Sequence, residues 1–290
     1  LLHHPYESFA PFVEMLRQAA RDPLVVSIRQ TLYRTGTGSA VVEALLEAAT
    51  AGKDVMVVIE LRARFDEAAN IELATALQAA GAQVVYGVVG HKTHAKMCMI
   101  IRREGRRLTR YVHLGTGNYH ERTSRSYTDF GLFSSDQDLG QDVQKIFQQI
   151  AALGKAGKLK ALLQSPFTLH SGMLEQIEAE RQKALQGQPG LSQAKMNALT
   201  EPKIIRALYE ASQAGVRVDL IVRGVCCLRP GVSGVSENIR VRSVVGRFLE
   251  HMRVYCFGVG EDRKVFLSSA DWMDRNFFRR VEACFPIRDP

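Results

Sequence analysis

Two short motifs in this chain pair an imidazole with a cation at the same spacing, His94-Ala95-Lys96 and His251-Met252-Arg253. A neutral ring nitrogen beside a fixed positive charge suits attack on phosphorus. The cation binds the phosphoryl oxygens while the nitrogen forms a phosphohistidine. A second imidazole, protonated, can give a proton to the leaving oxygen. Residues two apart on a strand share a face, so each histidine is expected to project beside its cation. A single HxK is common by chance, but here two copies occur in matching surroundings.

Upstream of each motif lies an Ala-Gly helix end followed by an apolar strand, at residues 51–60 and 214–223. Downstream lie the small-residue segments Gly115-Thr116-Gly117-Asn118 and Ser268-Ser269-Ala270-Asp271. When Gly115 is laid on Ser268, Arg122 falls on Arg275 and Asp129 on Glu282. A duplicated unit that brings one histidine per copy can build one site with two imidazoles. The aligned acids Asp129 and Glu282 are then candidates for orienting the rings, since a carboxylate on Nδ1–H leaves Nε2 available to attack. The alternative for these acids is an ordinary ion pair with Arg122 or Arg280.

The elements that must hold these residues follow from hydrophobic period and turn chemistry. Residues 24–33 alternate like a strand, and Gly36 to Ser39 then lead into an amphipathic helix over 40–51 closed by Gly52. That turn lacks the phosphate-loop pattern and reads as a plain turn with Ser39 as N-cap. A strand at 54–59, a helix at 66–80, a strand at 82–88, a hairpin of 95–101 with 107–114, and a helix near 137–153 complete the first half. Residues 154–158 are the linker candidate. A helix of 171–186, a helix starting at Thr200 with Pro202, and strands near 216–222, 239–245, 252–258, 264–268 and 281–287 form the second half. The alternation predicts a sheet with helices on both faces in each half.

Composition sets the class. With 290 residues, 46% hydrophobic and 23% charged, the chain has the length for two domains and the balance of a globular rather than a disordered or fibrous protein. It shows neither a run of the roughly 20 apolar residues that spans a bilayer nor a signal-peptide pattern. Its five cysteines have no CxxC spacing and read as reduced, buried and cytoplasmic. A net charge of +8 points to an anionic partner, such as nucleic acid, phospholipid, nucleotide or another phosphate compound. Arg34, Arg64 and Arg223 each follow an apolar strand-like run, at the end where α/β sites lie. His91, His113, His120 and His170 have no repeat partner and read as core or surface residues, and Trp272 reads as a packing residue. No His/Cys/Asp cluster has metal-ligand spacing, so a metal is expected to arrive with phosphates, as Mg²⁺. The start at Leu1 and the end at Pro290 read as the cut ends of a longer protein.

Paired HxK motifs followed by a small-residue segment with Asn resemble the phospholipase D superfamily. That family's HxK is followed, after four residues, by Asp, whereas this chain has Ile101, and Arg253 replaces Lys in the second copy. The strings SIRQTLYR (27–34), LRARFDEAANI (61–71), KTHAKM (92–97), HLGTGNYHERTSRSYTDF (113–130), LIVRGVCCL (220–228), RFLEHMRVY (247–255) and FLSSADWMDRN (266–276) are similar to polyphosphate kinases of the large, histidine-phosphorylated type. The likeness runs over nearly the whole chain.

The resemblance implies an α/β fold of two similar phospholipase D-like domains, 1–161 and 162–290, each a mixed sheet flanked by helices, with the active site at their interface. In that family an N-terminal and a helical domain precede this pair. The resemblance also implies transfer of the ATP γ-phosphoryl group through phosphorylated His94 to inorganic polyphosphate, releasing ADP, with His251 as the second catalytic histidine. Tyr127, Arg223 and His251 match ATP-contacting positions, and Lys96 and Arg253 are phosphate-binding candidates. Arg34 and Arg64 match the arginines around the phosphates and Mg²⁺. A guanidinium cannot ligate a cation, so those two are expected to act through phosphate or water. The implied setting is a homo-oligomer of the full-length protein, cytoplasmic or peripheral at a membrane, with no nucleic acid partner. Two rival readings stand beside it. One is a phosphodiesterase or nuclease using the same histidines, and the other is a non-catalytic polyanion-binding module.

Overall fold

A computed structural model describes residues 1–33, 38–60, 67–88, 90–152 and 157–288. The chain divides into two compact units, Leu1–Leu162 and Leu163–Pro290. In the first unit the strands are β1 (Leu2–His4), β2 (Val25–Leu32), β3 (Asp54–Ile59), β4 (Gln83–Val85), the two-residue β5 (Lys92–Thr93), β6 (Lys96–Glu104), β7 (Arg107–Gly115) and β8 (Tyr127–Ser134). The helices are α1 (Ala10–Arg21), α2 (Ala40–Thr50), α3 (Glu67–Ala79), the single-turn α4 (Glu121–Ser124) and α5 (Gln137–Ala152). In the second unit the strands are β9 (Leu163–Ser165), β10 (Leu191–Met196), β11 (Arg217–Val222), β12 (Ile239–Arg242), β13 (Leu249–Glu250), β14 (Arg253–Phe257), β15 (Lys264–Ser268) and β16 (Arg280–Ile287). Its helices are α6 (Leu169–Leu185), α7 (Pro202–Gln213) and the short α8 (Asp274–Phe278).

Strand order shows the duplication that the motifs suggested. The first sheet runs β4-β3-β2-β6-β7-β8-β1, and the second runs β12-β11-β10-β14-β15-β16 with β9 on β16. In both, three parallel strands sit beside an antiparallel group. The register repeats as well: Lys96 faces Gly115 across β6 and β7, and Arg253 faces Ser268 across β14 and β15. Asp129 faces His4 on the edge strand of the first unit, and Glu282 faces Ser165 in the second.

The Ala-Gly helix ends act as stops in both units. Gly52 and Gly215 take φ of 81° and 98°, a left-handed conformation that ends α2 and α7 at no cost to a side chain. Pro202 is the first residue of α7, and the N-cap is Glu201 rather than Thr200, its carboxylate accepting from Ile204 N at 2.7 Å. Ser39 stands at the N-cap of α2 without a capping bond from its side chain, and Gly36 lies outside the described residues. The linker candidate falls partly outside them too. What is described beyond it is pinned by buried Asp142, whose Oδ2 accepts from Lys160 N, Ala161 N and Leu162 N at 2.8, 2.7 and 3.1 Å.

Helices cover both faces of the sheet in the first unit. Phe12, Leu16, Leu45 and Ala48 of α1 and α2 pack on Ile28, Val57, Cys98 and Ile100. On the opposite face, α5 lies against β6 and β7, burying Val143 and Phe147. The second unit departs from that expectation. Among its described residues α6 and α7 cover one face, and the other bears half-buried Gln193, Lys195, Asp219 and Cys256. The crossover from β11 to β12 carries no helix, because Pro230, Gly231 and Gly234 interrupt it and both glycines have positive φ.

Nine elements went unread in the sequence: β1, α1, β5, α4, β8, β9, β10, β13 and α8. Leu191 to Met196 puts Ser192, Ala194 and Met196 inward, too weak an alternation to mark β10 as a strand. The cysteines also differ from expectation. Cys98 and Cys284 are buried and their thiols are pushed upward by desolvation, but Cys226 and Cys256 are half-buried and Cys227 is exposed.

His113 is the core residue expected of it. It packs among Phe12, Tyr119 and Phe133, with Nδ1 3.0 Å from the Tyr119 hydroxyl. The absent side chain of Gly131 makes room for its ring, since a Cβ there would sit 2.5 Å from Nε2. Burial pushes this imidazole down to about 3. An unfolded histidine titrates near 6.5, so between those values the unfolded chain binds a proton that the folded chain does not. The stability this group contributes is complete above about pH 6.5 and is lost as pH falls. Lowering the pH from 7.5 to 5 should therefore cost about 2 kcal/mol through this residue. Thermal unfolding of His113→Phe at the two pH values should show a smaller acid loss than the parent, and an equal loss would remove His113 as the cause.

Candidate active site

In the first unit, His94 lies just before β6 and Lys96 is the first residue of that strand. The histidine is thus held by a strand entrance rather than within a strand. Thr31 of β2 fixes this entrance, its hydroxyl donating to Ala95 O at 2.9 Å and accepting from Met97 N at 2.9 Å. Lys96 is buried, and its Nζ donates to the carbonyl oxygen of His94. The Tyr33 ring meets the His94 ring edge-on, with centroids 5.7 Å apart, and lies 5.6 Å from Lys96 Nζ. On the upstream side, buried Glu60 accepts from Thr93 N at 2.9 Å through Oε2, tying the end of β3 to the residue before His94.

Asp129 lies on β8, buried, with its Oδ1 2.6 Å from the Thr116 hydroxyl. Thr116 Oγ1 also accepts from Phe130 N at 3.0 Å, so one hydroxyl joins the turn after β7 to β8. Gly117 is required beside it, since a Cβ would stand 2.2 Å from Asp129 Oδ2. Tyr127 is the first residue of the same strand and half-buried.

The second unit repeats the arrangement with other atoms. Glu282 on β16 is fully buried; Oε2 takes the Ser269 hydroxyl and Oε1 accepts Asn276 Nδ2 at 2.7 Å. Ser269 stands where Thr116 stands, and its Oγ likewise accepts from the strand, at Ala283 N, 3.2 Å away. Arg280 Nη1 is 3.9 Å from Glu282 Oε1, a distance that makes the ion pair secondary to the two hydrogen bonds. His251 lies just before β14 and Arg253 begins it. Arg253 is buried; Nε and Nη2 donate to Asp271 Oδ1 and Oδ2 at 3.2 and 3.0 Å, and Nη1 lies 3.1 Å from His251 Nε2. Histidine and cation therefore do project together in this unit.

Arg223 follows β11 and is half-buried, with Nη1 buried and without a hydrogen-bond partner among the described residues. Such a donor fits an anion, which would supply the missing acceptor. Arg34 and Arg64 lie outside the described residues. Among the described residues no group of three or more His, Cys, Asp or Glu could hold a metal ion.

Of the other residues without a repeat partner, His120 caps α4 by accepting from Arg122 N at 3.1 Å, and His170 is half-buried against Phe277 and Phe278 with Nε2 3.1 Å from Glu201. Trp272 is core. Thr116, Ser269, Asn276 and Asp271 had no role in the sequence reading. The first, second and last lay in the aligned small-residue segments, and a shared hydroxyl at the second position was the signal.

The fold alone resembles a phosphatidylserine synthase of Haemophilus influenzae, with a TM-score of 0.63 at 13% identity, covering 97% of this chain and 81% of that one. That likeness is one of fold, two α/β units that repeat one strand order. Models of "Polyphosphate kinase C-terminal domain 1" and "Polyphosphate kinase C-terminal domain 2" match residues 1–156 and 162–290. A polyphosphate kinase of Xylella fastidiosa is 62% identical over 290 residues, all of this chain and 42% of that protein. The crystal structure of the Porphyromonas gingivalis polyphosphate kinase superposes with a TM-score of 0.92 at 38% identity, covering 100% of this chain and 44% of that one. The chain belongs to the polyphosphate kinase family. It spans about two fifths of the length of the curated relatives it matches.

The hydroxyl–carboxylate pairs should be needed in both units. Thr116→Val keeps the shape but leaves Asp129 Oδ1 and Phe130 N without that partner, and should cost about 1 to 3 kcal/mol in urea unfolding. Thr116→Ser should restore most of it. Equal stability of the Val and Ser variants would show that the hydroxyl is dispensable.

Proposed function

We propose that this chain is the catalytic region of an ATP:polyphosphate phosphotransferase. Neutral His94 Nε2 attacks the γ-phosphorus, forming a P–N bond as the bond to the β,γ-bridging oxygen breaks, and ADP leaves. A terminal oxygen of inorganic polyphosphate then attacks the phosphohistidine, a P–O bond forms, the P–N bond breaks and the ring is regenerated. His251 gives or takes the proton at the bridging oxygen. Lys96, Arg34, Arg64 and Arg223 offset charge on the transferring group, and Tyr127, Arg223, Arg253 and His251 contact ATP. Asp129 and Glu282 orient the imidazoles. Mg²⁺ enters with the nucleotide as part of the substrate. The enzyme is read as cytoplasmic and oligomeric in its full-length form. Among the described residues no helix is long and apolar enough to cross a membrane.

The observation that carries this reading is the built pairing of a histidine with a buried cation at the entrance of the same strand in both units, in a chain 62% identical to a polyphosphate kinase. The departures Ile101 and Arg253 from the phospholipase D pattern weigh against a diesterase.

Incubation with γ-labelled ATP and Mg²⁺ should give acid-labile, base-stable label on the protein. His94→Ala should abolish it, and label retained on that variant would place the nucleophile elsewhere. His251→Ala should keep slow labelling, reduced by a factor of about 10² to 10⁴. Arg223→Lys should be costly although charge is kept, because an ammonium lacks the planar fork of a guanidinium. Turnover equal to the parent would make Arg223 a structural residue only.

A further inference from the structure

We infer that Asp271 is a positioning residue: its carboxylate grips the Arg253 guanidinium through both oxygens and so sets the place of that cation against the His251 ring. The inference rests on the phosphotransfer reading above, in which His251 and Arg253 act on the phosphates.

Asp271 and Arg253 are both buried, at 5% and 4% exposure, where an isolated charge would be costly. The fork is filled on two sides, Nε to Oδ1 and Nη2 to Oδ2. A guanidinium is planar, so these two contacts leave Nη1 little freedom. Nη1 stands 3.1 Å from His251 Nε2 and 3.4 Å from Nδ1. A second route joins the same acid to the same histidine through the backbone. Asp271 Oδ1 accepts from Asn197 N at 2.7 Å, and Asn197 Nδ2 donates to His251 O at 3.1 Å. One carboxylate thereby ties down both the ring's neighbour and the main chain that carries the ring.

The first unit shows that the acid answers the arginine. With Gly115 laid on Ser268, Asn118 falls on Asp271, and the cation of that unit is Lys96. At that position the first unit thus carries a neutral amide and the second a carboxylate, with a lysine as the cation of the first and an arginine as that of the second. An ammonium is a point charge and has no plane to fix, whereas a guanidinium does.

The test is a double-mutant cycle with Asp271→Asn and Arg253→Lys, read as ATP and polyphosphate turnover and as the NMR signals of the His251 ring, which need no substrate. Asp271→Asn in the parent should lower kcat by roughly tenfold or more with KM for ATP changed less than about twofold, and should shift the ring signals. Added to Arg253→Lys, the same substitution should cost nothing further and shift nothing further. An equal loss in both backgrounds, or no loss in either, would overturn the proposal. If Asp271→Asn alone fails to fold, the double variant decides: folded with the turnover of Arg253→Lys it supports the pairing, and unfolded it shows that Asp271 holds the fold regardless of Arg253. A parent protein without turnover would sink the phosphotransfer reading, while the ring signals would still report whether Asp271 acts through Arg253.

Discussion

The structure depends on one small interaction made twice, a buried carboxylate bound by a hydroxyl from the preceding turn. Thr116 and Asp129 form it in the first unit, Ser269 and Glu282 in the second. A carboxylate removed from water needs donors, and a hydrogen bond to a charged group contributes roughly 1.5 to 3 kcal/mol, about twice a neutral one. Because each hydroxyl also accepts a backbone N–H from the following strand, it fixes where the turn sits against β8 or β16. That position in turn sets the neighbours of Lys96 and Arg253, which face Gly115 and Ser268 across the ladder.

Buried cations are the second consequence. Lys96 and Arg253 each begin a strand and are nearly closed off from solvent. The units meet the resulting cost differently. Lys96 turns its ammonium to the carbonyl of His94, whereas Arg253 is matched by a full carboxylate at Asp271. Duplication kept the strand order and the register while the chemistry of the pair diverged. The two histidines consequently sit beside different cations.

The surroundings of the two units also diverged, and for backbone reasons. In the first, α5 packs apolar residues onto the sheet face opposite α1 and α2. In the second, the described part of that face is polar, with Lys195 2.6 Å from Glu250 and Arg217 2.7 Å from Asp219. Those cations already have acidic partners, whereas Arg223 Nη1 has no hydrogen-bond partner among the described residues.

Much of this was legible in the sequence. Motif spacing located His94, Lys96, His251 and Arg253, the offset from Gly115 to Ser268 aligned Asp129 with Glu282, and the Ala-Gly ends marked α2 and α7, because these signals are local and survive without knowledge of the fold. Strands β8 and β10 were not legible. Asp129 and Gly131 weaken the pattern of β8, and β10 turns serine and alanine inward, so only pairing with their neighbours makes them strands. Nor could the sequence say what Asp129 and Glu282 bind, since Arg122 and Arg280 stood near them in order with the opposite charge, whereas Thr116 and Ser269 stood 13 residues away and Asn276 is neutral. Side chains 13 residues apart meet only when a turn brings two adjacent strands together. The bond between Asp271 and Arg253 is of the same kind, spanning 18 residues. The sequence determined which chemical groups the chain carries and their repeat, and the tertiary structure alone decided which of them touch, because hydrogen bonds act over about 3 Å whatever the separation along the chain.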